Sequence, residues 1–453
     1  MVNTRTESRQ LVQNRSIAAV EDRRYDPLRK GFAIAIDLGT TAVVGKLMDL
    51  STGEDIDYFV DYNAQREYGC DGAERISVSL DDASRLSAVI TRQLNRSIAG
   101  MLRRNHVYSD MVDKLVIAGS TAMTYLLLNF PCRSLGSSPF EPRFPVVNPY
   151  LYERIFGSEL LDIECTLMPY ISAFVGGDIF AGLCTLKDKD DYLLIDIGNS
   201  TEIVFKRGDT TLCTSVAAAS AFEGVNIECG SGGVRGAVSS IRFNRGHLEY
   251  RTIGKSPAVG ITGSGLLDLM AVLASTGGID ENGLLSSTGL SAAGLPGLQL
   301  PTVGKSKAES SRMTVIQSRS HSSRADFDRE IYITQNDVRE FQRAKSAVRT
   351  AIDIILSEMG GPLPGRVFLA GGSGQSYNPE SALICGLLPD YLASNVTPIG
   401  NSSLEGATKM CFDESTMYGM LRTARNAEEI YLPSHSRFNE LFAINMYFRH
   451  RSR

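Results

Sequence analysis

Two short stretches carry acids and hydroxyls where a plain turn has little use for them. Asp37-Leu38-Gly39-Thr40-Thr41 follows one apolar run, and Asp196-Ile197-Gly198-Asn199-Ser200 follows another. Each leads into a second strand-like run, a polar turn and a third run. A hairpin turn prefers Asn-Gly or Asp-Gly and gains little from extra hydroxyls. Hydroxyls and exposed backbone N–H groups beside a glycine do suit a phosphate, because glycine lets the backbone approach closely. A carboxylate at the tip suits hydrated Mg²⁺, which needs only one or two acids acting partly through water. Either acid alone reads as a turn or capping residue. As a matched pair, Asp37 and Asp196 are candidates to flank a metal, with the hydroxyl-bearing loops gripping phosphates.

The elements that must position these loops follow from the pattern. The repeat reads as a duplicated three-stranded meander. After the first copy, DDASRLSAVITRQLNRSIAGMLRRN places Leu86, Val89, Ile90, Leu94, Ile98, Met101 and Leu102 at helical spacing, with Asp81 or Asp82 as the cap. Two strand–Gly–helix units, KLVIAGSTAMTYLLLNF and GRVFLAGGSGQSYNPESALICGLL, come later. In the second, Gly371, Gly372 and Ser373 lie where a chain could pass under a base and ribose. Thr334-Gln335-Asn336-Asp337 has the form of a capping box opening a long amphipathic helix. Lys345 falls on that helix's apolar stripe, either snorkelling at its edge or aimed into a cleft between lobes. Residues 1–30 read as a flexible N-terminal lead-in, and 286–326 as a Ser/Gly-rich insert.

Composition narrows the classes. The chain has 453 residues, ordinary apolar content of 43% and a net charge of -5, which does not favour non-specific nucleic-acid binding. No apolar run approaches the ~18 residues that span a membrane. The eight cysteines form no CxxC pair and the five histidines no HxxxH, so the sequence predicts no zinc site and no iron–sulfur cluster in this chain. Isolated thiols without a signal-like start predict a reducing, cytoplasmic setting.

In their order along the chain, these motifs resemble those of the acetate kinase–sugar kinase–heat-shock chaperone–actin superfamily of ATPases. Asp37 to Thr41 is similar to its first phosphate motif, Asp196 to Glu202 to its second, and FLAGGSGQ to its adenosine motif. AFVGGDIFAG lies where the connecting motif belongs. The resemblance implies an α/β fold with two actin-like lobes. These are duplicated ribonuclease H-like domains, 31–190 and 191–453, closing over ATP and Mg²⁺. It implies catalytic roles for Asp37, Asp178 and Asp196, with Asp178 near the attacking water. It implies nucleotide contacts from Gly39, Thr40, Thr41, Gly198, Asn199, Ser200, Gly371, Gly372 and Ser373. It also puts Lys345 on the adenine side.

A narrower resemblance covers nearly everything from residue 31 onward. YNAQREYGCDGAERISVS, LGSSPFEPRFP, AFEGVNIECG, GITGSGLLDLMAVLA, IGNSSLEGATKM and the tail ARNAEEIYLPSHSRFNELFAINMYF resemble the ATPase domain of corrinoid-protein reductive activators. That family uses ATP to help return cobalt(II) corrinoid to cobalt(I), with electrons from a ferredoxin-like iron–sulfur domain. The implied partners are a corrinoid protein and a separate ferredoxin-like electron donor, and a homodimer stays open. Two other classes remain: a small-molecule kinase of the same superfamily, and a non-catalytic nucleotide-gated binding module.

Overall fold

The computed structural model describes residues 31–186, 189–245, 247–286, 312–316, 330–371 and 377–448. The lead-in, Gly372 and Ser373 lie outside them, as does the insert apart from Ser286 and Arg312–Ile316. The chain forms two compact units. The first runs through Asp191 and includes Lys206–Cys213 and Asn401–Glu429; the second takes Tyr192–Phe205, Thr214–Gly400 and the chain from Ile430 on.

In the first unit, strands β1 (Phe32–Leu38), β2 (Ala42–Asp49), β3 (Asp55–Tyr62), β4 (Val112–Gly119), β5 (Tyr150–Leu151) and β6 (Glu164–Leu167) form one sheet of order β3-β2-β1-β4-β6-β5. The first three make the expected antiparallel meander, and β4 pairs in parallel with β1 and β6. Ala33 to Leu38 are all buried, as expected of a central strand covered on both faces. The helix Gly72–Arg104 supplies Leu86, Ile90, Leu94, Ile98 and Met101 to this core. It begins earlier than the periodicity predicts, capped by Asp71, and breaks at Asp82 (φ -152, ψ 83). There Asp82 Oδ1 accepts from Ser84 Oγ at 2.7 Å and Arg85 N at 3.2 Å, so it recaps the longer segment.

β7 (Tyr192–Ile197), β8 (Thr201–Arg207) and β9 (Thr210–Val216), which belong to the second unit except for Lys206–Cys213, repeat the meander. A three-stranded sheet of β10 (Ala237–Asn244), β11 (His247–Thr252) and β12 (Gly260–Ile261) follows, then the β13 (Arg312–Ile316) and β14 (Ile331–Thr334) pair. With β15 (Arg366–Gly371) and β16 (Val396–Gly400), the meander gives the order β16-β15-β7-β8-β9, the counterpart of β6-β4-β1-β2-β3. The helix Gln335–Met359 opens with the predicted capping box: Asp337 N donates to Thr334 Oγ1 at 3.1 Å, and Thr334 N to Asp337 Oδ2 at 2.8 Å.

The duplication extends to register. Asp37 and Leu38 lie opposite Ala118 and Gly119; Asp196 and Ile197 lie opposite Ala370 and Gly371. A Cβ on Gly119 would come within 2.9 Å of the Leu38 carbonyl oxygen, and one on Gly371 within 3.2 Å of that of Ile197. The same close approach recurs beside each acid.

Candidate active site

Asp37 ends β1 as a buried carboxylate, and it accepts one side-chain donor on each oxygen. Asn401 Nδ2 donates to Oδ2 at 2.7 Å, and Ser403 Oγ to Oδ1 at 2.8 Å. Asn401 also caps the helix Ser402–Phe412, its Oδ1 accepting from Leu404 N at 2.8 Å. Burial pushes the Asp37 carboxyl up, while the Asn401 and Ser403 bonds oppose that shift.

Asp178 lies in the first turn of the helix Gly177–Thr185. It is half-buried, and its Oδ1 accepts from Ile179 N at 2.8 Å. Its carboxyl is pushed up to about 7, chiefly by burial, against the Ile179 N–H bond and with the Asp37 charge adding to the rise. The first unit thus brings together two of the predicted acids, close enough for the charge of one to shift the other.

The helix that holds Asp37 is itself fixed. Lys46 on β2 is fully buried, with Nζ 2.7 Å from Glu405 Oε1 and 3.6 Å from Asp55 Oδ2. Both carboxylates are half-buried, and removing either would leave the buried ammonium with one partner fewer. Gly406 meets Ala181 of the Asp178 helix so closely that a Cβ would come within 2.0 Å of the Ala181 carbonyl oxygen.

The loop Gly39-Thr40-Thr41 is half-buried and held at both ends by Asn63, which closes β3. Asn63 Nδ2 donates to the Gly39 carbonyl at 2.9 Å, and Asn63 N to the Thr41 carbonyl at 2.9 Å. The hydroxyl-bearing residues therefore sit on a fixed backbone.

In the second unit, Asp196 is half-buried and adds its charge to that of Glu223 in raising the phenol of buried Tyr377, for which burial is the main cause. The loop Gly198-Asn199-Ser200 closes on itself, with Gly198 N donating to Ser200 O at 3.0 Å. Glu202 Oε1 accepts from Ser200 Oγ and, at 3.2 Å, from Ser215 Oγ. Asn199 Nδ2 and Thr201 Oγ1 are buried with no hydrogen-bond partner among the described residues. An unmatched amide donor in a Gly-Asn-Ser turn fits an anion, and the donor set here suits a phosphate. Gly371 packs under Tyr377, whose Cε2 lies 2.5 Å from where a Cβ would be.

Lys345 does not snorkel to water. It is buried, and Nζ donates to the backbone carbonyls of Asn445 at 2.6 Å and Tyr447 at 2.7 Å, 5.0 Å from the centre of the Phe448 ring. Its ammonium thus binds carbonyls at and just past the C-terminal end of the helix Phe438–Asn445, where positive charge is favourable.

Sequence reasoning assigned no role to Asn401, Ser403, Asn63 or Lys46. Asn-Ser-Ser ahead of an apolar stretch signals a helix cap, which locates Asn401 but not its remote carboxylate partner.

The family described as the RACo middle region matches residues 32–189, and the one described as the C-terminal domain of RACo, the ASKHA domain, matches 190–453. The chain belongs to the RACo family. The actin-like superfamily fold expected from the motifs is therefore the fold of this RACo-family chain. The chain is similar to a solved structure of the reductive activator for corrinoid,iron-sulfur protein. That match has a TM-score of 0.82 and 28% identity, over 94% of this chain and 67% of the other. It is 27% identical to the corrinoid activation enzyme RamQ of Eubacterium limosum over 92% of this chain and 70% of that protein. It is 22% identical to the [Co(II) methylated amine-specific corrinoid protein] reductase of Methanosarcina barkeri over 92% of this chain and 76% of that one. No helix among the described residues is long and apolar enough to cross a membrane.

Proposed function

We propose that this chain is an ATP-dependent activator of a corrinoid protein, assisting reduction of its cobalt(II) to cobalt(I) with electrons from a separate ferredoxin-like iron–sulfur donor. The observation that carries the reading is the pair of acid-tipped hairpins in identical register, one with a buried donor unmatched among the described residues, inside a chain of the RACo family. The names of the relatives, matched over 92% of this chain, support the corrinoid half.

Bound Mg²⁺ and ATP would supply a hydrolysable anhydride and a charge-neutralising cation. In the first unit Asp37, held by its two donors, would accept from metal-bound water. Thr40 and Thr41 would donate to phosphate from a fixed loop, and Asp178 would orient the attacking water. In the second unit Asp196 would take the matching role, with Gly198, Asn199 and Ser200 on the phosphates. Gly371 with Gly372 and Ser373 would line the adenosine. Lys345, its amine on the carbonyls of residues 445 and 447, would act there by holding that segment in place. A corrinoid protein preferring one nucleotide state of the chain would be coupled to ATP by that difference in affinity.

The test mixes the chain, a cobalt(II) corrinoid protein and a low-potential ferredoxin, and follows cobalt(I) absorbance with and without MgATP. The expected result is a nucleotide-dependent gain in cobalt(I) and nucleotide-dependent binding of the corrinoid protein. No gain and no such binding, with phosphate release stimulated by a sugar instead, would move the assignment to a small-molecule kinase.

A further inference from the structure

The Asp37 carboxylate is oriented from a place remote in sequence. Asn401 and Ser403 bond one oxygen each, at 2.7 and 2.8 Å, and both belong to the start of one helix. That helix is anchored on one side by the ion pair of buried Lys46 with half-buried Glu405 and packs through Gly406 against the helix bearing Asp178. A carboxylate at a strand end otherwise turns freely about its last torsion, which has a broad two-fold profile. Two charge-assisted bonds, one per oxygen, remove that freedom and leave the remaining lone pairs pointing in fixed directions.

We propose that Asn401 and Ser403 are positioning residues for nucleotide hydrolysis: they fix the plane of the Asp37 carboxylate so that its free lone pairs meet a hydrated divalent cation in one orientation. The inference rests on the reading of Asp37 given above. Mg²⁺ demands near-ideal geometry and keeps its waters, so a carboxylate acting through water is effective only when its oxygens are aimed. Outer partners of this kind matter by about 10–100-fold in metal affinity or activity when removed.

Two variants separate positioning from mere support. Ser403→Ala deletes one donor. Asn401→Asp keeps the oxygen that caps the helix at Leu404 but replaces the donor to Asp37 with a second carboxylate oxygen. Phosphate release is measured across free Mg²⁺ and ATP, nucleotide binding by calorimetry with and without Mg²⁺, and folding by thermal melting. In both variants the half-saturating Mg²⁺ should rise about 10-fold and kcat fall about 10-fold. Melting should fall in both, since each leaves a buried Asp37 oxygen without its donor, so turnover and binding are compared on folded protein, and nucleotide affinity without Mg²⁺ should stay within about twofold. The Mg²⁺-dependent gain in nucleotide affinity should shrink in parallel. Unchanged Mg²⁺ dependence and turnover in both variants, with Asp37→Ala inactive, overturns the positioning role and leaves Asp37 standing. Wild-type turnover in Asp37→Ala overturns the reading of Asp37 and the inference with it.

Discussion

The two acid hairpins share a register but not their support. Asp37 and Asp196 face the same Ala-Gly step of a parallel neighbour, and the glycine beside each leaves room for the next carbonyl. Around the first, later parts of the chain close in: Asn401 and Ser403 take both carboxylate oxygens, and Asn63 grips the loop at Gly39 and Thr41. The second loop is held by its own backbone and by Glu202, Asp196 is half-buried, and Asn199 keeps a donor without a partner among the described residues. Duplication has preserved the strand geometry that aims an acid and a loop; among the described residues, the first is braced from remote parts of the chain and the second loop is closed by its own backbone.

The sharpest way to break this comparison is to remove each acid. Asp37→Ala and Asp196→Ala should each lower Mg²⁺-dependent phosphate release by at least about 100-fold, since an electrostatic group at the reacting centre is worth that much. Their stability costs should differ. Asp37→Ala strands the Asn401 amide and Ser403 hydroxyl in a buried place, for about 1–2 kcal/mol net. Asp196→Ala removes a half-buried side chain and should cost less than that, because less of what it leaves behind is shut off from water. Urea unfolding and turnover on the same preparations decide it, and equal stability costs would erase the distinction between braced and locally closed hairpins.

The loops give a smaller, paired effect. Asn63→Ala removes a buried side chain that donates to the half-buried Gly39 carbonyl and accepts from Gln65 N, and should cost about 2 kcal/mol of stability. Freed at one end, the loop should also bind nucleotide about 10-fold more weakly, because a pre-positioned donor loses its orientation. Asn199→Ala removes a donor that has no partner among the described residues, so stability should hold or rise while affinity falls by a similar factor. Melting curves beside calorimetric titrations read both. A stability loss in Asn199→Ala would show that its amide serves the fold.

Much of this was legible in sequence because it is local. The meanders, the capping box at Thr334 and the glycines after β4 and β15 each follow from turn chemistry, period or a cap within a few residues. The helix start was misplaced because Asp82 does cap a helix, yet a shorter helical segment precedes it across a kink. The bracing of Asp37 was not legible: no periodicity links residue 37 to residues 401 and 403. Lys345 was ambiguous for the same reason. A lysine on an apolar stripe fits an edge, a cleft or a buried contact equally well. Only the return of the chain at 445–448 brings two carbonyls to its amine. Lys46, a charge inside a strand, likewise acquires its partner Glu405 from far along the chain.

The smallest expected effect concerns the charge gathered around the braced hairpin. Asp178 holds its proton up to about pH 7, mainly because burial disfavours the carboxylate, with the Asp37 charge adding to the same direction. In the unfolded chain that group ionises near its ordinary value of 3.8. Between those two values the folded state binds the proton and the unfolded state does not, so stability falls as pH rises. The contribution is fully present below about pH 4 and lost once the pH passes about 7. Asp178→Asn cannot ionise and escapes this loss. Without metal or nucleotide, the variant should gain on the parent by about 1–2 kcal/mol between pH 4.5 and pH 8, and the gain should level off above that. Urea unfolding at a series of pH values in chelator measures it. Parallel curves for variant and parent would mean that Asp178 ionises as easily in the fold as out of it. Asp37 and Asp178 would then be too well solvated to influence one another, and the contrast between a braced and a locally closed hairpin would lose its electrostatic half.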